Sequence, residues 1–240
     1  LGVGLENIEL PACAKRNIKV IPATGANAES VAEYVVGAAI TLIRGFIPAT
    51  ISTLKGDWPR PRFSSYHEFL GQTLGIVGFG SIGRVVAKKA HAFGLQCVAY
   101  DPMLAGDTVE LDGFSVPLLK LSNLLSRSHA VSLHLPYLPE TKNLFDGAVL
   151  DQMREGACLV NTARGGIVDE QALAERLRSG RIGGAAIDVF SAEPTKDLSH
   201  FSGIENLILT PHIAGVTHES NERVSQMIAD EVNRYLGTLK

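Results

Sequence analysis

Three side chains of the types that move a proton or hold an anion follow three apolar runs in the second half of the chain. Arg164 lies in Asn161-Thr162-Ala163-Arg164-Gly165-Gly166 and Glu193 in Asp188-Val189-Phe190-Ser191-Ala192-Glu193-Pro194. His212 lies in Leu209-Thr210-Pro211-His212-Ile213-Ala214-Gly215. A guanidinium is a planar fork that can hold a carboxylate through two parallel hydrogen bonds. An imidazole gives or takes a proton near neutral pH, and a neighbouring carboxylate favours its charged form. Together the three suit hydride chemistry on a hydroxy acid, with His212 exchanging the proton of the reacting oxygen. Each alone has a plainer use: Arg164 as a solvated loop charge, Glu193 as a surface acid before a proline, His212 as a loop residue. Their convergence at one sheet edge carries the reading.

That convergence needs a scaffold. From residue 72 the pattern alternates apolar runs (74–78, 96–100, 130–134, 157–161, 184–188, 206–209) with helical stretches (81–92, 121–126, 146–154, 170–179). Continuous apolar strands with helices between them predict an α/β fold with a doubly wound parallel sheet. Ligands of such sheets bind beyond the C-terminal strand ends, where Arg164, Asp188, Glu193 and His212 fall. Ahead of this region, 18–22 (IKVIP) reads as a strand, and Ser30-Val31-Ala32-Glu33 has the form of a capping box opening a helix over 30–44. That helix is apolar nearly all round, which predicts burial between domains or in a homodimer. Residues 56–61 (GDWPRP) read as an irregular loop, and 220–236 as a closing amphipathic helix.

A second constellation stands at the first strand of the alternation. Residues 74–83 (LGIVGFGSIG) place G-x-G-x-x-G directly after a strand and before a helix. Gly78 permits the tight turn, Gly80 lets the backbone approach a pyrophosphate, and Gly83 allows close helix packing. The helix N-terminus then offers free N–H groups to phosphates. The next strand ends at Asp101, 18 residues after Gly83, where an acid meets the adenosine ribose hydroxyls. With no Arg or Lys beside Asp101 to accept a 2′-phosphate, NAD is expected rather than NADP.

The balance of 22 Lys+Arg against 25 Asp+Glu gives a formal charge of -3 and no basic field for nucleic acid or anionic lipid. The longest apolar stretch, 34–43, is far short of the roughly 20 residues that cross a bilayer. Cys13, Cys97 and Cys158 are too few and too scattered for a disulfide framework or a zinc site, so no metal is expected and a reducing cytoplasm is.

Residues 78–83 with Asp101, 161–170 (NTARGGIVDE), 186–194 (AIDVFSAEP) and 209–215 (LTPHIAG) together resemble the D-isomer-specific 2-hydroxyacid dehydrogenases, which include phosphoglycerate, glycerate and D-lactate dehydrogenases. The resemblance implies an NAD-dependent oxidoreductase of D-2-hydroxy and 2-oxo acids, phosphoglycerate-like among the options. It implies Arg164 as ligand of the substrate carboxylate, Glu193 as the acid paired to the histidine, and His212 as proton donor and acceptor. It further implies Asp188 near the nicotinamide carboxamide, cofactor contacts from Ser81, Ile82, Leu135, Pro136, Thr141 and Thr162, and substrate binding by the backbone of Val3 and Gly4. Glu193 separates the chain from formate dehydrogenases, which carry glutamine there.

In domain terms the resemblance implies a Rossmann NAD-binding domain over 25–214. Residues 1–24 become the end of an incomplete flavodoxin-like substrate domain, and 215–240 a helix returning to it. About 70 preceding residues are then expected, a size within the usual range of domains. Two other functions fit the same motifs: an NAD(H)-sensing corepressor-type binding protein, and an inactive truncated fragment.

Overall fold

The structure is a computed structural model that describes residues 4, 5 and 8–238. Four helices come first: α1 (Leu10–Lys15), α2 (Ala28–Ile43), α3 (Phe46–Leu54) and α4 (Arg60–Phe63). Strands and helices then alternate through β1 (Thr73–Val77), α5 (Ser81–Ala92), β2 (Gln96–Tyr100), a hairpin of β3 (Thr108–Leu111) and β4 (Phe114–Pro117), α6 (Leu121–Arg127) and β5 (Ala130–Leu133). The series continues with α7 (Gly147–Leu150), β6 (Cys158–Asn161), α8 (Glu170–Arg178), β7 (Gly184–Ile187), β8 (Leu207–Leu209) and α9 (His218–Gly237).

Six strands form one sheet in the order β2-β1-β5-β6-β7-β8, every neighbouring pair parallel. The chain winds outward from β1 to β2, then crosses back to β5 on the other side, so the order reverses between β1 and β5. A crevice must open there, beyond the strand ends. Strands β5, β6 and β7 are buried along their whole length, because helices cover both faces. On one face Val31, Val35 and Leu42 of α2 pack with Val86 and Ala90 of α5 against Leu74 and Ile76. On the other, Leu124, Leu150 and Leu173 pack against Val131, Leu133 and Leu159. Buried Cys97 and Cys158 are free thiols whose pKa values burial pushes up to about 12.

The six strands fall where the apolar runs predict them, within a residue at each end. Other expectations fail for reasons of packing. Residues 18–22 form no strand; they run beside α9, with Lys19 Nζ 4.4 Å from the centre of the Tyr235 ring. The capping box does not form either, since α2 starts at Ala28 with Asn27 as its cap. Ser30 Oγ instead lies 3.0 Å from Thr217 Oγ1, and Glu33 turns to Lys89 on α5. The expected loop at 56–61 includes the start of α4, because Pro61 sits in a first helical turn where its missing N–H costs nothing. Only Gly147–Leu150 of the expected helix at 146–154 is helical; the Arg154 N–H bonds to Leu125 O and leads the chain away.

Helix α2 buries ten of its 16 residues within this single chain. Its apolar surround is therefore met by α5 and the sheet, without a second subunit.

Candidate active site

At the switch point the glycine loop is shaped by contact as well as by torsion. Gly78 has φ +91°, and a Cβ there would lie 2.5 Å from His134 O. A Cβ on Gly83 would lie 2.3 Å from Gly78 O, so α5 can approach β1 only without a side chain at this position. Gly80 differs: a Cβ would meet nothing within 4 Å, so the backbone faces open space at the N-terminus of α5. No side chain caps that terminus, leaving N–H groups near Ser81 and Ile82 for an anion. Asp101 braces the loop from β2, accepting from Phe79 N at 2.8 Å and Met103 N at 2.9 Å. Each carboxylate oxygen keeps a further lone pair for ribose hydroxyls.

The far wall comes from the segment after β5. His134 donates its N–H to Val77 O, tying β5 to the glycine loop. Its ring lies 3.1 Å from Ser132 Oγ, and burial pushes its pKa down to about 3, so the imidazole is neutral. Leu135 reaches to 3.2 Å of the Cβ position of Gly78, while Thr141 Oγ1 donates to Pro136 O at 2.7 Å and fixes that bend.

The strand ends of β6, β7 and β8 supply the other half. Asn161 folds the turn after β6, accepting from Ala163 N at 3.1 Å and donating to Arg164 O at 3.2 Å. Arg164 Nη1 donates to Ala163 O at 2.7 Å. Thr162 Oγ1 is buried with no hydrogen-bond partner among the described residues, an acceptor and donor held ready for a ligand. The residues Ile82, Thr162, Arg164, Asp188 and His212 line one cleft of about 340 Å³. An open glycine backbone, an uncapped helix terminus and this orphaned hydroxyl together fit a dinucleotide lying from Asp101 to the cleft.

His212 and Glu193 meet across the lip of the cleft, Nδ1 to Oε2 at 2.7 Å. A carboxylate only accepts, so Nδ1 carries a proton and Nε2 is left to face a substrate. Glu193 is itself held, its Oε1 accepting from Phe190 N at 2.8 Å. Asp188, 1% exposed, accepts from Ile213 N at 2.8 Å, Ala214 N at 2.9 Å and Thr210 Oγ1 at 2.5 Å. It thereby fixes the turn that carries His212, whose backbone occupies the left-handed region at φ 57°.

Of the residues expected to act, the cleft gathers Arg164, Asp188, His212, Thr162 and Ile82, and Glu193 joins it through its bond to His212. Asp101 and the glycines stand at its other end, and Leu135, Pro136 and Thr141 between them. Gly4 is exposed, and Val3 lies outside the described residues. Two partners of the site were given no role from the sequence: Thr210, inside the 209–215 motif, and, behind it, Tyr34, whose hydroxyl lies 2.7 Å from Thr210 Oγ1. A lone tyrosine hydroxyl in an apolar helix was the available signal. Among the described residues no group of three or more His, Cys, Asp or Glu could hold a metal, and no single helix is long and apolar enough to cross a membrane.

Comparison with known proteins agrees with this geometry. The family profile of the D-isomer specific 2-hydroxyacid dehydrogenase NAD binding domain matches residues 36–214. The (S)-sulfolactate dehydrogenase of Chromohalobacter salexigens is 50% identical over 99% of this chain and 76% of its own length. The D-3-phosphoglycerate dehydrogenase of Methanocaldococcus jannaschii is 36% identical over 98% of this chain but only 44% of its own. Among solved structures, D-lactate dehydrogenase from Aquifex aeolicus, complexed with NAD and lactic acid, superposes with a TM-score of 0.84 at 31% identity, covering 99% of this chain and 75% of that one. The chain belongs to the D-isomer specific 2-hydroxyacid dehydrogenase family, as an NAD-dependent oxidoreductase of 2-hydroxy acids.

Proposed function

We propose that this enzyme interconverts a sulfonated 2-hydroxy acid of the sulfolactate type and its 2-oxo acid, with Arg164, Glu193 and His212 as the catalytic residues. The observation that carries the residue roles is the 2.7 Å pair of His212 and Glu193 on the cleft that Arg164 also lines. When bound, NAD(H) supplies or takes the hydride at the substrate's C2. Arg164 holds the substrate carboxylate through its fork, with the Val3-Gly4 backbone as a second contact. In reduction His212 gives the Nε2 proton to the C2 oxygen, and in oxidation it takes that proton back. Glu193 holds Nδ1–H and balances the imidazolium charge. Asp188 keeps the His212 turn in place beside the nicotinamide end of the cleft.

The sulfolactate assignment is supported by the 50% identity to the sulfolactate enzyme against 36% to the phosphoglycerate enzyme. The test is an NADH-oxidation screen of 2-oxo acids with the full-length gene product. The highest kcat/KM should fall on sulfopyruvate; a higher value for phosphohydroxypyruvate would return the enzyme to the phosphoglycerate type.

For the whole protein we propose a cytoplasmic homodimer, with 25–214 as the NAD-binding domain and 1–24 and 215–240 belonging to the substrate domain. The buried free thiols support the reducing compartment. Leu54 and Trp58, 81% and 77% exposed on α3 and the loop after it, support a subunit contact there rather than through α2.

A further inference from the structure

We propose that Tyr34 and Thr210 are positioning residues, a half-buried hydrogen-bond relay that holds His212 in its reactive orientation through Asp188. The proposal rests on His212 being the proton donor, as assigned above. Tyr34 lies in the middle of α2, with its hydroxyl 2.7 Å from Thr210 Oγ1, and Thr210 Oγ1 lies 2.5 Å from Asp188 Oδ1.

The direction of the relay follows from its end. The Asp188 carboxylate only accepts, so the single hydroxyl proton of Thr210 points to it, and the Thr210 oxygen must accept from Tyr34. Burial raises the Tyr34 pKa, which keeps the phenol a donor throughout the neutral range. Each bond in such a chain polarises the next, so the Tyr34 hydroxyl strengthens the grip of Thr210 on Asp188.

What Asp188 does with that grip is local. Its two oxygens accept from Ile213 N and Ala214 N, and its backbone carbonyl accepts from His212 N at 2.8 Å. His212 is thus bracketed on both sides by one residue while its own φ is 57°, a conformation that persists only where neighbours impose it. Glu193 then sets the ring from the side-chain end. If the Tyr34 hydroxyl is removed, Thr210 is free to turn and Asp188 holds the turn with one bond fewer, so the imidazole samples positions off the reacting oxygen.

The experiment uses the full-length enzyme, NADH and its best 2-oxo acid. Tyr34→Phe keeps the ring and its packing, and should lower kcat about 3- to 10-fold, the loss expected for one hydrogen bond. KM and NADH affinity should stay within about twofold, because neither Tyr34 nor Thr210 lines the cleft that holds Arg164 and His212. The kinetic isotope effect with NADH deuterated at the transferred position should rise, since misplacing the proton donor slows the chemical step. Thr210→Val should lower kcat further, and Thr210→Ser should recover most of the loss. Wild-type kcat per folded enzyme and an unchanged isotope effect in Tyr34→Phe and Thr210→Val, with only a lower melting temperature, would overturn the relay. His212→Ala is measured in parallel: if it keeps turnover, the assignment of His212 fails and the relay falls with it. If it is inactive while Tyr34→Phe is normal, the relay alone is wrong.

Discussion

His212 shows how little a residue type says until its partners are known. Seven histidines occur in the chain, and His134 and His212 end in opposite circumstances. His134 is half-buried beside a hydroxyl and held neutral by desolvation, whereas His212 sits half-exposed against a carboxylate. Replacing His212 with alanine should slow the chemical step by about 10²–10⁴-fold, the usual contribution of a positioned general acid, with NADH binding intact by fluorescence titration. Glu193→Gln should be milder, since it keeps a hydrogen bond to Nδ1 and loses only the charge. Arg164→Lys should raise KM for the oxo acid nearly as much as Arg164→Ala does, because an ammonium has no planar fork. Steady-state kinetics that show lysine restoring KM would remove the bidentate assignment.

The element proposed to hold the cofactor is the β1–α5 turn, and its glycines separate two requirements. Gly83 serves packing: a Cβ would meet backbone at 2.3 Å. Gly83→Ala should therefore cost about 1–3 kcal/mol of stability, the range for overpacking, and weaken NADH binding as well. Gly80 serves the ligand, since it faces open space at a negative φ of -75°. Gly80→Ala should leave the melting temperature near wild type and still weaken NADH, which calorimetry and thermal unfolding together can read. The end of β5 adds a pH dependence. The folded-state pKa of His134 is lowered to about 3, below its unfolded value, so the unfolded chain binds more protons between roughly pH 6.5 and 3. Its contribution to stability is thus present above pH 6.5 and lost as pH falls through that window. His134→Asn should flatten the fall of melting temperature across it, and an unchanged slope would mean that other groups set the acid sensitivity.

For the molecule as a whole, the layout divides labour between the two halves of the sheet. In the proposed roles, the β1–β2 half carries the glycine loop and Asp101 for the adenosine end, while the β6–β8 half carries Arg164, Glu193 and His212 for the reacting end. Both rest on α2, which packs against α5 and also sends Tyr34 to the turn after β8. Because most of α2 is already buried within one chain, we place the proposed dimer contact on α3 and its following loop. Sedimentation at micromolar concentration should give a dimer, and Leu54→Lys with Trp58→Lys should shift it towards monomer with the fold retained. A monomeric wild type would refute the contact proposed at α3 and its following loop.

Much of this was local enough to be legible in the sequence. Apolar runs of strand length, glycines at fixed offsets and an acid ending the second strand are constraints between residues a few positions apart. They determined the parallel sheet, the cofactor and the three charged side chains at its edge. The β3–β4 hairpin lies outside the expected strands, although Asp112-Gly113 between apolar flanks, with Gly113 at φ +87°, is a local hairpin signal. Other features depend on pairings between distant residues that no periodicity encodes. Ser30 reads as a helix cap by its neighbours, yet it bonds to Thr217, 187 positions away. The apolar surround of α2 predicted a partner, but only the packed structure shows that α5 and the sheet already supply the cover. Tyr34 and Thr210 stand 176 positions apart, and their bond exists because the sheet brings the end of β8 under the middle of α2. Local sequence chose the elements and the chemistry; the folding of those elements against one another decided which polar groups meet, and so which of them hold the His212 turn.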